Sequence, residues 1–219
     1  MGGNLQNRKR GADPAFPRLL GERLCLDYVN SVENPHGTHP EDFLRGYPDL
    51  VRWSRHVSLL DDAATARLLG ASEHQPDAAR AVFARALALR AALGAIFRAI
   101  ARGDTPQASD LARLQADYLA ALGQAQLAPT ERGHEWAWRE DDGALDRPLW
   151  AVARSAVEVL TTGDPARIKA CPEPDGCGWL FYDTSKNGSR HWCSMEGCGS
   201  RAKMRHHYAR RAAELARQG

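Results

Sequence analysis

Four cysteines near the end of the sequence have the spacing to do chemistry. They run Cys171-x5-Cys177, then fifteen residues, then Cys193-x4-Cys198. Two close pairs joined by a hairpin-sized spacer meet the needs of a tetrahedral Zn2+ site, each pair supplying half of the thiolates. Pro172, Pro174, Gly176 and Gly178 favour a tight turn around the first pair, and Gly197 and Gly199 flank the last ligand. The spacings do not match the common ferredoxin runs. A site with four protein thiolates has no open position, so it is structural and no zinc chemistry on a substrate is expected. The plainer alternative is four reduced or disulfide-bonded cysteines, and disulfides are disfavoured in a reducing compartment. The fifth cysteine, Cys25, sits between Leu24 and Leu26 in an expected strand and reads as a small buried hydrophobe.

The spacer predicts a hairpin, with Trp179 to Tyr182 as one strand, Thr184 to Ser189 as the turn and Arg190 to Trp192 as the other strand. After Cys198 about twenty residues run without proline, which predicts a helix entered through the second cysteine pair. Hairpin between the pairs and helix after the last ligand is the order of a treble clef. Between Lys186 and Arg211 lie seven basic residues, Lys186, Arg190, Arg201, Lys203, Arg205, Arg210 and Arg211, against one acid, Glu196. On a helical wheel Met204, Tyr208, Ala212 and Leu215 form a packing stripe. Lys203, His206 and Arg210 share another face, with Arg201 and Arg205 beside them. Such a face can neutralise phosphates, and Arg201 and Arg205 are the candidates for base edges. The alternatives are a solvated basic helix or a patch for an acidic protein.

The elements that must carry this site are mostly helical. The chain is 43% hydrophobic and rich in Ala, Leu and Arg, a composition that favours helix over sheet. Leu24, Leu26 and Tyr28 at spacing two, after the turn Leu20-Gly21-Glu22, predict a short strand pair ending at Asn34-Pro35-His36-Gly37. Pro48 opens a helix bearing Leu50, Val51 and Trp53, and Asp61 caps one that stops at Gly70. Asp77 to Arg102 carries Val82, Ala86, Leu89, Leu93, Ile96 and Ile100 at spacings of three and four, the stripe of a core helix. Thr105-Pro106 should start the next, with Leu111, Leu114, Tyr118 and Leu122. His134 to Arg139 reads as a strand turning at Asp141-Asp142-Gly143, and Pro148 to Thr162 as a helix stopped by Gly163. Asp27, Asn30 and Arg90 interrupt apolar periodicity, so they could line an effector pocket or be satisfied by local hydrogen bonds.

Met1 to Ala15 is polar and reads as a disordered leader. The body then spans residues 16–163, and the finger with its basic helix 166–219. Residues 166–219 hold ten Lys/Arg against five Asp/Glu, so the basic charge and the cysteines concentrate together. No window approaches the roughly 18 uncharged apolar residues of a membrane span, and no signal-peptide pattern is present. A cytoplasmic location without membrane attachment is the expectation.

At these residues the sequence resembles the CGNR zinc-finger proteins, bacterial stress-induced transcription regulators whose N-terminal part is the ABATE domain. The matching residues are Cys171 and Cys177, Gly178 to Phe181, Asp183 to Ser185, Asn187, Ser189-Arg190, Trp192 to Met195, and Cys198-Gly199 with Arg201 and Lys203. Upstream, Leu24 to Ser31 looks like the signature near the start of the ABATE domain, so the resemblance spans residues 16–211. Ser200 departs from it, standing where the name-giving motif has Asn; a Ser in the first helical turn can still bond locally.

The expected fold class is therefore mainly α: a helical N-terminal domain with a small antiparallel β element, and a treble-clef-like zinc finger of hairpin and helix. The expected function is DNA-binding transcription regulation, with Zn2+ as cofactor and DNA as partner. The N-terminal domain would sense a small-molecule effector or form a homodimer. No P-loop, dinucleotide fingerprint or metalloprotease motif is present, so no enzyme is expected. The alternatives are an adaptor whose finger binds an acidic partner, and a small-molecule-binding or enzymatic helical domain stapled by the finger.

Overall fold

The structure, a computed structural model, describes residues 13–33, 41–139, 143–172 and 177–216. The expected leader up to Ala12, the turn Asn34 to Gly37 and Asp141-Asp142 lie outside them. Helices dominate the described residues, and the β structure among them is limited to three antiparallel two-stranded pairs.

The N-terminal signature forms a helix, α1 (Leu24–Val29), where a strand pair was expected. All six of its residues are buried, so there is no polar face to impose a helical period. The period-two spacing of Leu24, Leu26 and Tyr28 is a coincidence within that apolar run. The expected turn is nonetheless there. Glu22 has φ 61°, and Gly21 approaches so closely that an added Cβ would lie 2.7 Å from the Asp27 nitrogen. Cys25 is fully buried, its N–H donating to Ser155 Oγ at 3.2 Å, and burial pushes its thiol up to about 12.

Strands β1 (Val32–Glu33) and β2 (Glu41–Asp42) pair, and α2 (Tyr47–His56) follows with Pro48 in its first turn. The Asp61 carboxylate caps α3 (Asp62–His74), accepting from Ala64 N at 2.7 Å. This helix runs past Gly70, which meets open space and has no reason to stop it. The core helix α4 (Pro76–Ala101) buries Ala86, Leu89, Leu93 and Ile96. Its successor α5 (Ala108–Leu122) starts after Gln107, later than expected at Thr105-Pro106, and leaves Leu111 and Leu122 exposed. Strand β4 (Gly133–Trp138) was expected, but its partner is the preceding β3 (Ala125–Thr130), with the turn at Glu131-Arg132. Helix α6 (Arg147–Thr162) has Pro148 in its first turn and ends at Gly163.

Helices α1, α2, α4 and α6 enclose one core around Tyr28, Trp53, Phe97 and Leu149. Tyr28 packs tilted against Trp53, ring centroids 5.0 Å apart, and donates to Ala86 O at 2.8 Å, so its hydroxyl is satisfied in the interior. The same core takes in Ile168, Leu180 and Tyr182 from beyond Gly163. The C-terminal region is thus built onto the helical body.

Candidate metal centre

A 3-10 turn (Pro165–Arg167) leads into β5 (Ile168–Ala170), which pairs antiparallel with β6 (Leu180–Tyr182). The hairpin therefore surrounds the first cysteine pair. The expected pairing of 179–182 with 190–192 does not occur: among the described residues, 190–192 form no strand. Ile168 to Ala170 is too short to announce itself by periodicity. Cys171 follows β5 and its N–H donates to Trp179 O at 2.7 Å. Gly178, at φ 70°, supplies the left-handed step that returns the chain to β6.

The second pair lies at a helix entrance, as expected. Cys198 sits in a short π turn (Met195–Gly199), whose Gly197 N–H donates to Ser194 Oγ at 3.2 Å. Helix α7 (Ser200–Ala216) continues from it. Ser200 Oγ donates to Met195 O at 3.0 Å, a local bond of the kind its position permits.

The four sulfurs lie within 4.8 Å of one another. Cys177 Sγ is 3.4 Å and Cys198 Sγ 3.6 Å from Cys193 Sγ. A Zn–S bond of about 2.3 Å implies tetrahedral edges of about 3.8 Å, so these separations fit zinc, and they far exceed the roughly 2.05 Å of a disulfide. Without a cation the cluster resists full ionisation. Cys177 is pushed up to about 12, chiefly by donating to Cys171, whose own thiol is held down by its donors Cys177 and Cys193. A divalent ion removes that conflict by taking all four as thiolates. Phe181, Trp192 and Leu20 pack around the sulfurs in a second small core.

Charged residues that the sequence offers as surface contacts instead build this platform. Arg190 is expected at the nucleic-acid face, but its guanidinium lies 4.7 Å from the Phe181 ring centroid. It donates to Trp192 O, Leu20 O and Cys193 O and pairs with Glu22 at 3.1 Å. Arg201 turns one nitrogen to Cys198 Sγ at 2.9 Å, which engages it at the cluster. Asp183 is fully buried: it accepts from Lys169 Nζ, Ser185 N, Ser185 Oγ and Arg190 N. Burial raises its carboxyl, but these donors prevail and hold it well below the usual carboxylate range. Sequence reasoning gave Lys169 and Asp183 no role. The available signal was Asp183-Thr184-Ser185, a stretch whose side chains bond their own backbone.

The basic helix departs from expectation in another way. Met204 and Tyr208, expected to pack, are 52% and 60% exposed. Of α7, Ala202 is buried, while every residue from Lys203 to Arg211 is exposed, including Arg205, His206, Arg210 and Arg211. Ala212 and Leu215, the rest of the expected stripe, have no described side chains. Lys186 is exposed on the turn after Asp183.

Asp27, Asn30 and Arg90 are not brought together as a pocket. The Asp27 carboxylate accepts from Gly21 N at 2.8 Å, Asn30 bonds both backbone polar groups of Leu180, and Arg90 holds Ser31 and Asp42. Each is satisfied structurally, because a buried polar group costs stability unless paired. A cavity of about 370 Å³ lies elsewhere, beside the cysteines, walled by Phe16, Leu20, Phe43 and Trp179.

Two family models match the chain. One, ABATE, is described as "Putative stress-induced transcription regulator" and covers residues 22–163; the other, the CGNR zinc finger, covers 167–211. No curated relative matches. The second match and the sulfur geometry agree on a zinc ion held by Cys171, Cys177, Cys193 and Cys198. With its first match covering well over half its length, the chain belongs to the ABATE family and carries a CGNR zinc finger at residues 167–211.

Proposed function

We propose that the protein regulates transcription by binding DNA through α7. The observation that carries this reading is the run of exposed residues from Lys203 to Arg211 on a helix standing on a metal-held platform. Lys203, Arg205, His206, Arg210 and Arg211 lie on it, and such a cluster attracts phosphates whatever their sequence; Lys186 is exposed on the turn after Asp183. In this reading the platform fixes the direction in which α7 leaves the body.

Residues 16–163 would form the regulatory unit and 166–219 the reader, although one core spans both. Homodimerisation is part of the same proposal. Its support is the exposed pair Leu127 and Trp136, cross-strand partners in the β3–β4 hairpin. Sequencing of DNA fragments that co-purify with the tagged protein tests the central claim. Enrichment of a common motif is expected; recovery of random fragments, with no salt-dependent binding to a duplex, would replace this reading with the adaptor one.

A further inference from the structure

The zinc cluster is not sealed on all sides. Cys171, Cys193 and Cys198 are buried, whereas Cys177 is half-exposed. The cavity of about 370 Å³ is lined by Cys177, Cys193 and Cys198 but not by Cys171, so it lies against one open face of the tetrahedron. Phe16, Leu20, Phe43 and Trp179 supply most of its other walls, and Arg18 and Arg201 also line it. The three thiols facing it differ: Cys198 carries the Arg201 guanidinium at 2.9 Å, while Cys177 stands 3.4 Å from Cys193. An electron-rich sulfur reached past Phe16, Leu20, Phe43 and Trp179 suits an oxygen-transferring molecule with a hydrocarbon tail that packs on those side chains.

We propose that Cys177 is an oxidation site for organic hydroperoxides, with Cys193 as the resolving thiol. The Cys177 sulfur attacks the terminal peroxide oxygen and the O–O bond breaks. The sulfur is oxidised by two electrons to a sulfenic acid, and the peroxide, taking up a proton, leaves as an alcohol. The Cys193 sulfur then attacks the sulfenic sulfur; an S–S bond forms and the hydroxyl leaves as water. In sum two zinc-bound thiolates, one hydroperoxide and two protons from water give one disulfide, one alcohol and one water. The sulfurs need to close from 3.4 Å to about 2.05 Å. With two of its four ligands in a disulfide, the site gives up its zinc. This inference rests on the zinc site and is independent of whether α7 binds DNA.

The test treats the zinc-loaded full chain with cumene hydroperoxide, and separately with hydrogen peroxide, while a chromophoric chelator reports released zinc and peptide mapping locates the disulfide. The expected result is one zinc released per Cys177–Cys193 disulfide, with cumene hydroperoxide at least about tenfold faster. Phe43→Ala should reduce that preference at unchanged zinc content. Cys177→His, which keeps a zinc ligand but no thiol, should slow release at least about tenfold. A disulfide that maps to Cys171, equal rates for the two peroxides, or undiminished release from Cys177→His would each overturn the proposal. If Cys177→His fails to load zinc, the mapping and the Phe43→Ala comparison decide it alone.

Discussion

Asn30 and Leu180, 150 residues apart, are joined like paired strands: Asn30 Oδ1 accepts from Leu180 N at 3.0 Å and Asn30 Nδ2 donates to Leu180 O at 2.8 Å. One side chain thus satisfies the outward edge of β6 and ties the finger to α1. The pair is buried on both sides, so no water can replace it.

Asn30→Leu should therefore destabilise the whole protein. It leaves a buried N–H and a buried C=O of Leu180 unpaired, for a loss of about 2–4 kcal/mol. Urea unfolding followed by tryptophan fluorescence measures it. A loss below about 1 kcal/mol would mean that the edge finds other partners.

Asp183→Asn tests the polar staple. The substitution leaves the Lys169 ammonium facing Gly188 O and Arg190 O without its counter-charge, and about 3 kcal/mol should be lost. Because the folded Asp183 carboxyl is held below its ordinary value of 3.8, its contribution is complete above that value and disappears only as pH falls beneath it. Between pH 5 and 8 the difference between wild type and variant should be flat.

His56 behaves differently. Its Nδ1 accepts from Asp13 N at 3.0 Å and Nε2 lies 3.2 Å from Pro17 O, an arrangement satisfied by the neutral ring. Burial lowers its pKa from 6.5 more than the Pro17 contact raises it. The unfolded chain then binds the extra proton, so this contribution is full above pH 6.5 and declines as pH falls through and below it. Wild type should lose stability relative to His56→Gln on going from pH 7.5 to 5.5, as read by thermal melts. Parallel curves would contradict the assignment.

Zinc removal should be local in its first effect. Purified protein should hold one zinc per chain by elemental analysis, and the double substitution Cys193→Ser, Cys198→Ser should hold none. Hydrogen exchange after chelation should rise across residues 192–216, while β5 and β6, anchored through Ile168 and Leu180 in the main core, stay protected.

Replacing Lys203 and Arg210 together by Ala should leave zinc content and melting temperature nearly unchanged, since both are exposed. Affinity for duplex DNA should fall, and the slope of log affinity against log salt should shrink by about one unit for each phosphate no longer neutralised. Arg190→Ala should do the reverse in kind, destabilising the platform before any effect specific to DNA. Equal affinity of wild type and the Lys203, Arg210 variant in anisotropy titrations would falsify the DNA-binding reading.

The four cysteines were legible because ligand spacing is a local property, and α2, α3, α4 and α6 because proline, a capping Asp and amphipathic stripes are local too. Helix α1 was not, since a helix buried all round carries no stripe. Arg190 and Asp183 were misread or passed over because a charged residue reads as solvated until its partners are known. Those of Arg190, Leu20 and Glu22, are 170 and 168 positions away. The stripe on α7 was legible as a pattern, but Met204 and Tyr208 stay more than half exposed, so the pattern does not mark a packed face.

Helix α7 is clamped at one end, at Ala202 and the turn that holds Cys198, and Lys203 to Arg211 beyond it stand in solvent. Its seventeen residues extend about 25 Å. A helix in that position keeps its shape mainly by its own backbone bonds, and at this length those are marginal in water. Amide protection should therefore decay along the helix from the clamp to the tip, and whatever binds it gains its grip by propagating helical order outward from the metal.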